Sequence, residues 1–385
     1  MAERIILGIP FFYKPNWIAG PYYISNLIAA LDLLNDELKP RVIVYFDSKK
    51  TIQLLKELDY PYISFVKRKT AFSRITNKLS RILIKRNLFV KRLSPKKIDV
   101  LFPAVDNDFL INIPVKKRIY WIPDFQEHFY PDFFNREMIA DRKKIHQSII
   151  EKNAKIIFSS VSAQRDFFEI YPRALNKTFV LPFAVSHSDN YKEIDINQLL
   201  KKFNLPAQYF FCANQFWAHK NHITILKALA LLKNRGKTVA VVFSGNKEDA
   251  RNPGFFKDLM KFVTDHNLQE QTFFLGFIER KEQLALMENA RAIIQPSLFE
   301  GWSTVVEDAK SLNKTVILSD IPVHREQIKS NVFFFEPLVE STLTKELENC
   351  EGVIVEPVDY NKARHIFAKT FYSILEKSSG WIETQ

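Results

Sequence analysis

The residues best suited to chemistry stand together in one short loop. Ser297, Glu300, Gly301, Ser303, Thr304 and Glu307 all fall within residues 291–327, RAIIQPSLFEGWSTVVEDAKSLNKTVILSDIPVHREQ. A carboxylate at Glu300 can accept hydrogen bonds from hydroxyl groups. Gly301 lets the backbone turn sharply, and a helix that starts just after it presents unpaired amides, which seek anions. The loop therefore suits a ligand that carries hydroxyls and negative charge together. Thr304-x-x-Glu307 also has the spacing of a capping box, in which Glu307 would close the helix start and touch no ligand. Glu300 precedes the helix and has no capping partner in register, which leaves its carboxylate for a ligand.

The elements that must position this loop are two apolar, β-branched runs, residues 292–294 and 315–318, separated by one short amphipathic helix. They read as a strand-helix-strand unit. Open α/β sheets bind ligands at the carboxyl ends of their strands, where this loop lies. The same alternation runs through the chain. Residues 5–9 form an apolar run, and Gly20-Pro21 opens a helical pattern with Ile24, Leu27, Ile28, Leu31 and Leu34 on one face. Strand patterns follow at 41–46, 62–66, 98–102 and 118–122. The last of these runs into PDFQEHFYPDFF, where Asp124, Gln126 and His128 share one loop with several aromatics, the makings of a polar pocket. After a helix at 138–150, a strand at 155–159, a helix at 163–170 and a strand at 178–181, the pattern lapses at 186–197, the best linker candidate. It restarts with a strand at 208–213, the loop NQFWAHKNH and a helix. Further strands follow at 239–244, with Gly245 at the turn, at 272–275 and at 332–335, and a final helix spans 360–376. His219 and His222 flank a loop-helix junction with no third ligand nearby, a structural rather than a metal-binding pattern.

Composition narrows the function further. The chain has 385 residues, 46% hydrophobic and 25% charged, which fits a folded protein of two domains. No apolar run reaches the roughly 18 residues that span a bilayer, and the opening MAERIILGIPFFYKP reads as a first strand rather than a leader. Two cysteines make no disulfide framework, so a reducing cytoplasm is expected. Between Gly20 and Gly236 there is no glycine, and neither GxGxxG nor a Walker A loop can be written, which argues against an ordinary NAD enzyme or P-loop NTPase. The net charge of +12 has one address: residues 67–97 hold twelve Lys and Arg and no Asp or Glu, and the remainder balances at 43 basic and 43 acidic. In that segment Arg74, Lys78, Arg81 and Lys85 fall opposite an apolar face at helical spacing. Such a helix suits an anionic membrane surface. Nucleic acid is disfavoured, because Phe72 and Phe89 are the segment's only aromatics for base stacking.

The run FEGWSTVVEDAK resembles the donor-site signature of retaining GT-B glycosyltransferases of family four, in which two glutamates bracket a glycine-aromatic turn. Six residues separate Glu300 from Glu307, one fewer than is usual in that family. The likeness continues through FLGFIERKEQLALMENARAIIQPS before the motif and SDIPVHREQ after it. It implies an α/β protein of GT-B type: two Rossmann-like α/β/α domains facing across a cleft, residues 1–190 on the acceptor side and 198–358 on the donor side, with a final helix of about 360–385 packing back on the first. It implies transfer of a sugar, with retention, from a nucleotide-sugar donor to a carbohydrate or lipid-linked acceptor in bacterial surface polysaccharide synthesis. The enzyme would work without metal or cofactor, peripherally on the inner face of the membrane. Glu300 would hold sugar hydroxyls, and Asp124, Gln126 or His128 would contact the transferred sugar. Gly20, Lys220, Gly245, Ser297, Gly301, Ser303, Thr304 and Glu307 would line the donor. Asn214 or Gln215 stands where the family often has a phosphate-binding arginine. A nucleotide-sugar 2-epimerase, or an idle binding protein of the same fold, are the alternatives.

Overall fold

The computed structural model describes residues 4–12, 19–48, 52–67, 98–105, 113–249, 251–350 and 355–380. The basic face expected at Arg74, Lys78, Arg81 and Lys85 lies outside the described residues. The chain divides into two compact units. The first takes the chain up to Pro123, Ala140–Ser186 and the chain from Asn361 onward; the second takes Asp124–Ile139 and His187–Tyr360.

The first unit is built on a parallel sheet of β1 (Ile6–Phe11), β2 (Arg41–Phe46), β3 (Ile63–Lys67), β4 (Val100–Ala104), β5 (Arg118–Ile122), β6 (Lys155–Phe158) and β7 (Thr178–Val180), in the order β3-β2-β1-β4-β5-β6-β7. Every residue of β4 is buried, as a strand covered on both faces by helices requires. The first crossover is the helix Ala19–Leu31, with Gly20 buried in its opening turn and Pro21 where a missing amide costs nothing. The final helix, Tyr360–Ser379, packs on this unit from Asn361 onward. Phe367 lies 6.2 Å from Tyr23, Phe371 lies 5.1 Å from Phe102, and Lys155 Nζ donates to the Ser378 carbonyl at 3.2 Å.

The second unit carries β8 (Phe210–Ala213), β9 (Val241–Ser244), β10 (Thr272–Phe274), β11 (Ile293–Gln295), β12 (Val316–Ser319) and β13 (Val332–Phe335), again parallel, in the order β10-β9-β8-β11-β12-β13. Alternate side chains feed two apolar clusters, Phe210, Cys212 and Ile294 on one face and Phe211, Ala213 and Ile293 on the other. The strand order reverses between β8 and β11, which pair through Ile293 and Phe211. This is the switch point at which the two outgoing loops diverge and leave a crevice for a ligand.

Two segments differ from the sequence-based division. The polar loop after β5 groups with the second unit, and the unit boundary falls between Ser186 and His187. Residues 187–197 are tied down rather than slack: Tyr191 is buried, His187 Nε2 lies 3.0 Å from Ser311 Oγ, and Asp195 caps the helix Ile196–Lys202. Short turns and a cap, not disorder, interrupt the periodicity there. Among the described residues no helix is long and apolar enough to cross a membrane.

Candidate active site

The site begins with a polar residue at the end of an apolar strand. Gln295, the last residue of β11, is wholly buried and satisfies its amide in three directions. Its Oε1 accepts from Asn214 Nδ2 at 2.7 Å, and its Nε2 donates to Ser297 Oγ at 3.1 Å and Glu300 Oε1 at 2.8 Å. Glu300 Oε1 also accepts from Lys220 Nζ at 2.5 Å, the two side chains being 10% and 15% exposed. Burial alone would raise the Glu300 pKa. The Lys220 charge and the hydrogen bonds from Lys220 and Ser297 outweigh that effect and hold the carboxyl below its ordinary range.

Lys220 ends a 3-10 turn, Ala218–Lys220, ahead of the helix His222–Asn234. Asn221 between them adopts φ 54°, a left-handed conformation that asparagine tolerates, and its Nδ2 donates to the carbonyls of Pro296 at 3.1 Å and Pro337 at 2.7 Å. The Leu298 amide donates to the His219 carbonyl at 2.8 Å. The loops after β8 and β11 are thus fastened to each other, so that Lys220 and Glu300 meet across the switch point. From β12, Ser319 Oγ donates to the Ser297 carbonyl at 2.5 Å, and His324 Nδ1 donates to the Ser319 carbonyl at 2.8 Å. His324 is fully buried; desolvation lowers its pKa, against the opposing pull of the Glu300 carboxylate. Gly245, after β9, touches the same loop: a Cβ there would lie 2.1 Å from the Asn214 carbonyl oxygen.

Glu307 has a different fate from Glu300. The helix Thr304–Ser311 is capped by Ser303, whose side chain accepts from the Val306 amide. The Thr304-to-Glu307 capping box therefore does not form, because the helix starts one residue earlier than that spacing needs. The Ser303 amide donates to Gln327 Oε1 at 3.1 Å, so it is not an open anion donor. Glu307 Oε1 accepts from Lys310 at 2.7 Å and Gln327 at 2.9 Å, and Oε2 accepts from the Tyr360 hydroxyl at 2.6 Å. Its side chain is thus satisfied from within the protein, at the residue where the chain enters its final helix. Glu307→Gln and Tyr360→Phe are each expected to lower stability by about 1–3 kcal/mol, the cost of buried groups left without partners, with nucleoside-diphosphate affinity unchanged. Denaturant unfolding and calorimetry check this; lost affinity at unchanged stability would make Glu307 a ligand group instead.

The remaining sequence candidates are scattered around this centre. Ser297, Gly301 and Ser303 are buried in the β11 loop, and Thr304 is half-buried in the first helical turn. Asp124 Oδ1 accepts from the Gln126 amide at 3.1 Å and so shapes the loop after β5. Gln126 is buried, whereas His128 is exposed, with its ring against Phe129 at 5.1 Å. That segment nevertheless reaches the site's rim: Tyr130 donates to the Leu298 carbonyl at 3.3 Å, and Phe129 stacks on Phe299 at 5.5 Å. His219 and His222 are buried, and desolvation pushes the pKa of His222 down to about 3 and that of His219 well below its ordinary value. His222 stacks on Phe216 at 4.5 Å as part of the core. Sequence reasoning missed Gln295, Ser319, His324 and Gln327. The signal was there for Gln295, a lone amide ending the buried run AIIQ, and for His324 and Gln327, three apart on one face of the helix Pro322–Gln327.

Two parallel Rossmann-like units make this a GT-B fold. The crystal structure of a glycosyltransferase from Rickettsia africae superposes with a TM-score of 0.64 at 16% identity, over 99% of both chains. Anabaena Alr3699/HepE, solved with UDP, does so with a TM-score of 0.61 at 15% identity, over 99% of this chain and 98% of that one. Residues 195–350, within this second unit, match the model of the family Glycosyl transferases group 1. The O-antigen chain mannosyltransferase RfbU of Salmonella typhimurium is 23% identical over 237 residues, a match spanning 62% of each protein.

Proposed function

We propose that the protein transfers a sugar, with retention of anomeric configuration, from a nucleotide sugar to a carbohydrate or lipid-linked acceptor in surface polysaccharide synthesis. The observation that carries this reading is the Lys220–Glu300 pair, held at the switch point by Gln295. Its two members suit the two halves of such a donor. The Lys220 ammonium would turn to the diphosphate and stabilise the charge that develops as the glycosidic bond breaks. Glu300 would then accept hydrogen bonds from sugar hydroxyls while positive charge grows on the ring. No nucleophilic role is assigned to Glu300, and neither a metal nor a cofactor is given a part. The family match and the O-antigen relative support the reaction class, and the UDP complex of a protein of like fold supports a nucleoside diphosphate as leaving group.

Product analysis tests the proposal. Release of nucleoside diphosphate that depends on an acceptor glycan is the expected result. Conversion of the nucleotide sugar without acceptor would mark a 2-epimerase, and no turnover with intact fold would mark an idle binding protein.

The basic segment, with Arg74, Lys78, Arg81 and Lys85, is proposed to hold the enzyme against anionic lipid, where a lipid-linked acceptor resides. Each outward Lys or Arg contributes about 1 kcal/mol near such a surface, screened over about 10 Å at 0.1 M salt. The protein is expected to sediment with phosphatidylserine-containing vesicles at low salt, and the quadruple glutamine variant to stay in solution with donor affinity intact. Equal sedimentation of the two would remove the membrane role.

A further inference from the structure

Beside the Lys220–Glu300 pair the second unit exposes an aromatic surface that the donor chemistry does not use. Phe129 is 42% exposed and, unlike a singly scattered apolar side chain, belongs to a group of neighbouring rings. It stacks on Phe299 with centroids 5.5 Å apart and planes 27° apart, and Phe299 immediately precedes Glu300. Tyr130 braces the pair, 6.0 Å from Phe299, with its hydroxyl on the Leu298 carbonyl and its ring flat against Phe133 at 5.4 Å. The exposed His128 ring stands edge-on to Phe129 at 5.1 Å.

We propose that this shelf binds one pyranose ring of the acceptor glycan. The proposal rests on the glycosyltransferase reading and deepens it. A pyranose presents on one face C–H groups polarised by neighbouring oxygens, and these meet the negative face of an aromatic ring favourably, while its hydroxyls remain at the rim. The shelf offers that combination: an apolar face at Phe129 and an imidazole at its edge. A lipid tail has no use for the polar edge. A protein partner needs roughly 800 Å² of its own surface, far more than two rings provide. The donor's partners, Lys220 and Glu300, are nearly buried, whereas Phe129 and His128 are open, which suits a chain that arrives from solvent and leaves longer.

Saturation-transfer NMR with methyl α-mannopyranoside, α-glucopyranoside and α-galactopyranoside, with and without nucleoside diphosphate, tests this. The wild type is expected to transfer saturation to the C–H protons of one face of at least one of these sugars. Phe129→Ala should weaken that sugar about tenfold and Phe129→Leu equally, whereas Phe129→Trp should retain it, all with unchanged diphosphate affinity. Retention by the leucine or alanine variant overturns the shelf, as does a wild type that binds diphosphate but no pyranoside. If Phe129→Ala weakens the intact nucleotide sugar relative to its diphosphate, the ring on the shelf is the donor's and the acceptor assignment falls. Pyranoside binding without any diphosphate binding would leave the shelf standing and overturn the transferase reading alone.

Discussion

Glu300→Gln is expected to reduce turnover about 10²- to 10³-fold, the usual effect of removing one preorganised electrostatic contact from a reacting centre. A glutamine carbonyl can still accept from Lys220 and Gln295, so the loop keeps its shape while the negative charge disappears. The structural cost falls on Lys220, which becomes a nearly buried cation without a counter-charge. Breaking a fully buried pair from one side costs about 3–5 kcal/mol, less where solvent reaches it as here, and removing both partners costs less. Lys220→Ala should weaken the nucleoside diphosphate itself by about 1.5–3 kcal/mol, roughly ten- to a hundredfold, because its partner in the complex is phosphate. The double variant Glu300→Gln, Lys220→Ala should therefore be more stable than the sum of the single losses predicts. Steady-state kinetics and denaturant unfolding of the four proteins decide the matter. A Glu300→Gln enzyme with the wild-type rate would refute the assignment, and strictly additive stabilities would show that the pair is not coupled.

Gly245→Ala is expected to be the most destabilising single change near the site. Gly245 has φ 149°, and a Cβ there would meet the Asn214 carbonyl oxygen at 2.1 Å, its carbon at 2.6 Å and Gln215 Cα at 2.9 Å. All three are backbone atoms, so no side-chain rotation relieves the clash; the β9 turn has to move away from the β8 loop. Strain and lost packing together should exceed about 3 kcal/mol. Displacing Asn214 also disturbs Gln295, and through it Glu300, so nucleotide affinity should fall beyond what unfolding explains. Gly236 serves as control: it has φ 72° with nothing within 4 Å of a Cβ, so alanine there should cost only about 1–2 kcal/mol. Equal unfolding midpoints for the two variants would contradict the argument.

Strand and helix alternation was legible because parallel strands buried on both faces read as apolar runs, and the loop glycines and polar clusters fall where those runs stop. The same logic found Glu300 at the end of β11, and the family resemblance pointed to Lys220 after β8, but neither told that they form a pair. Their contact depends on β8 and β11 being neighbours, and strand order is not written in periodicity. Glu307 was open to two sequence readings, cap or ligand; the structure closes no capping box and pairs the carboxylate with Lys310, Gln327 and Tyr360. Its hydroxyl donor, Tyr360, lies 53 residues downstream, beyond any local spacing rule. Asp124–Ile139 follows β5 in the chain but packs with Phe299 because its aromatics find partners there, a tertiary preference that local pattern does not carry.

The most direct test of the central claim is the melting temperature of the wild type against a panel of nucleotide sugars and their nucleoside diphosphates. A ligand that binds only the native state stabilises it in proportion to the logarithm of its concentration, by about 2.7 kcal/mol at a hundred times its dissociation constant. One nucleotide sugar and its own diphosphate are expected to raise the midpoint progressively with concentration, and Lys220→Ala is expected to lose most of that rise. A midpoint that no member of the panel shifts at millimolar concentration would contradict a donor site at Lys220 and Glu300.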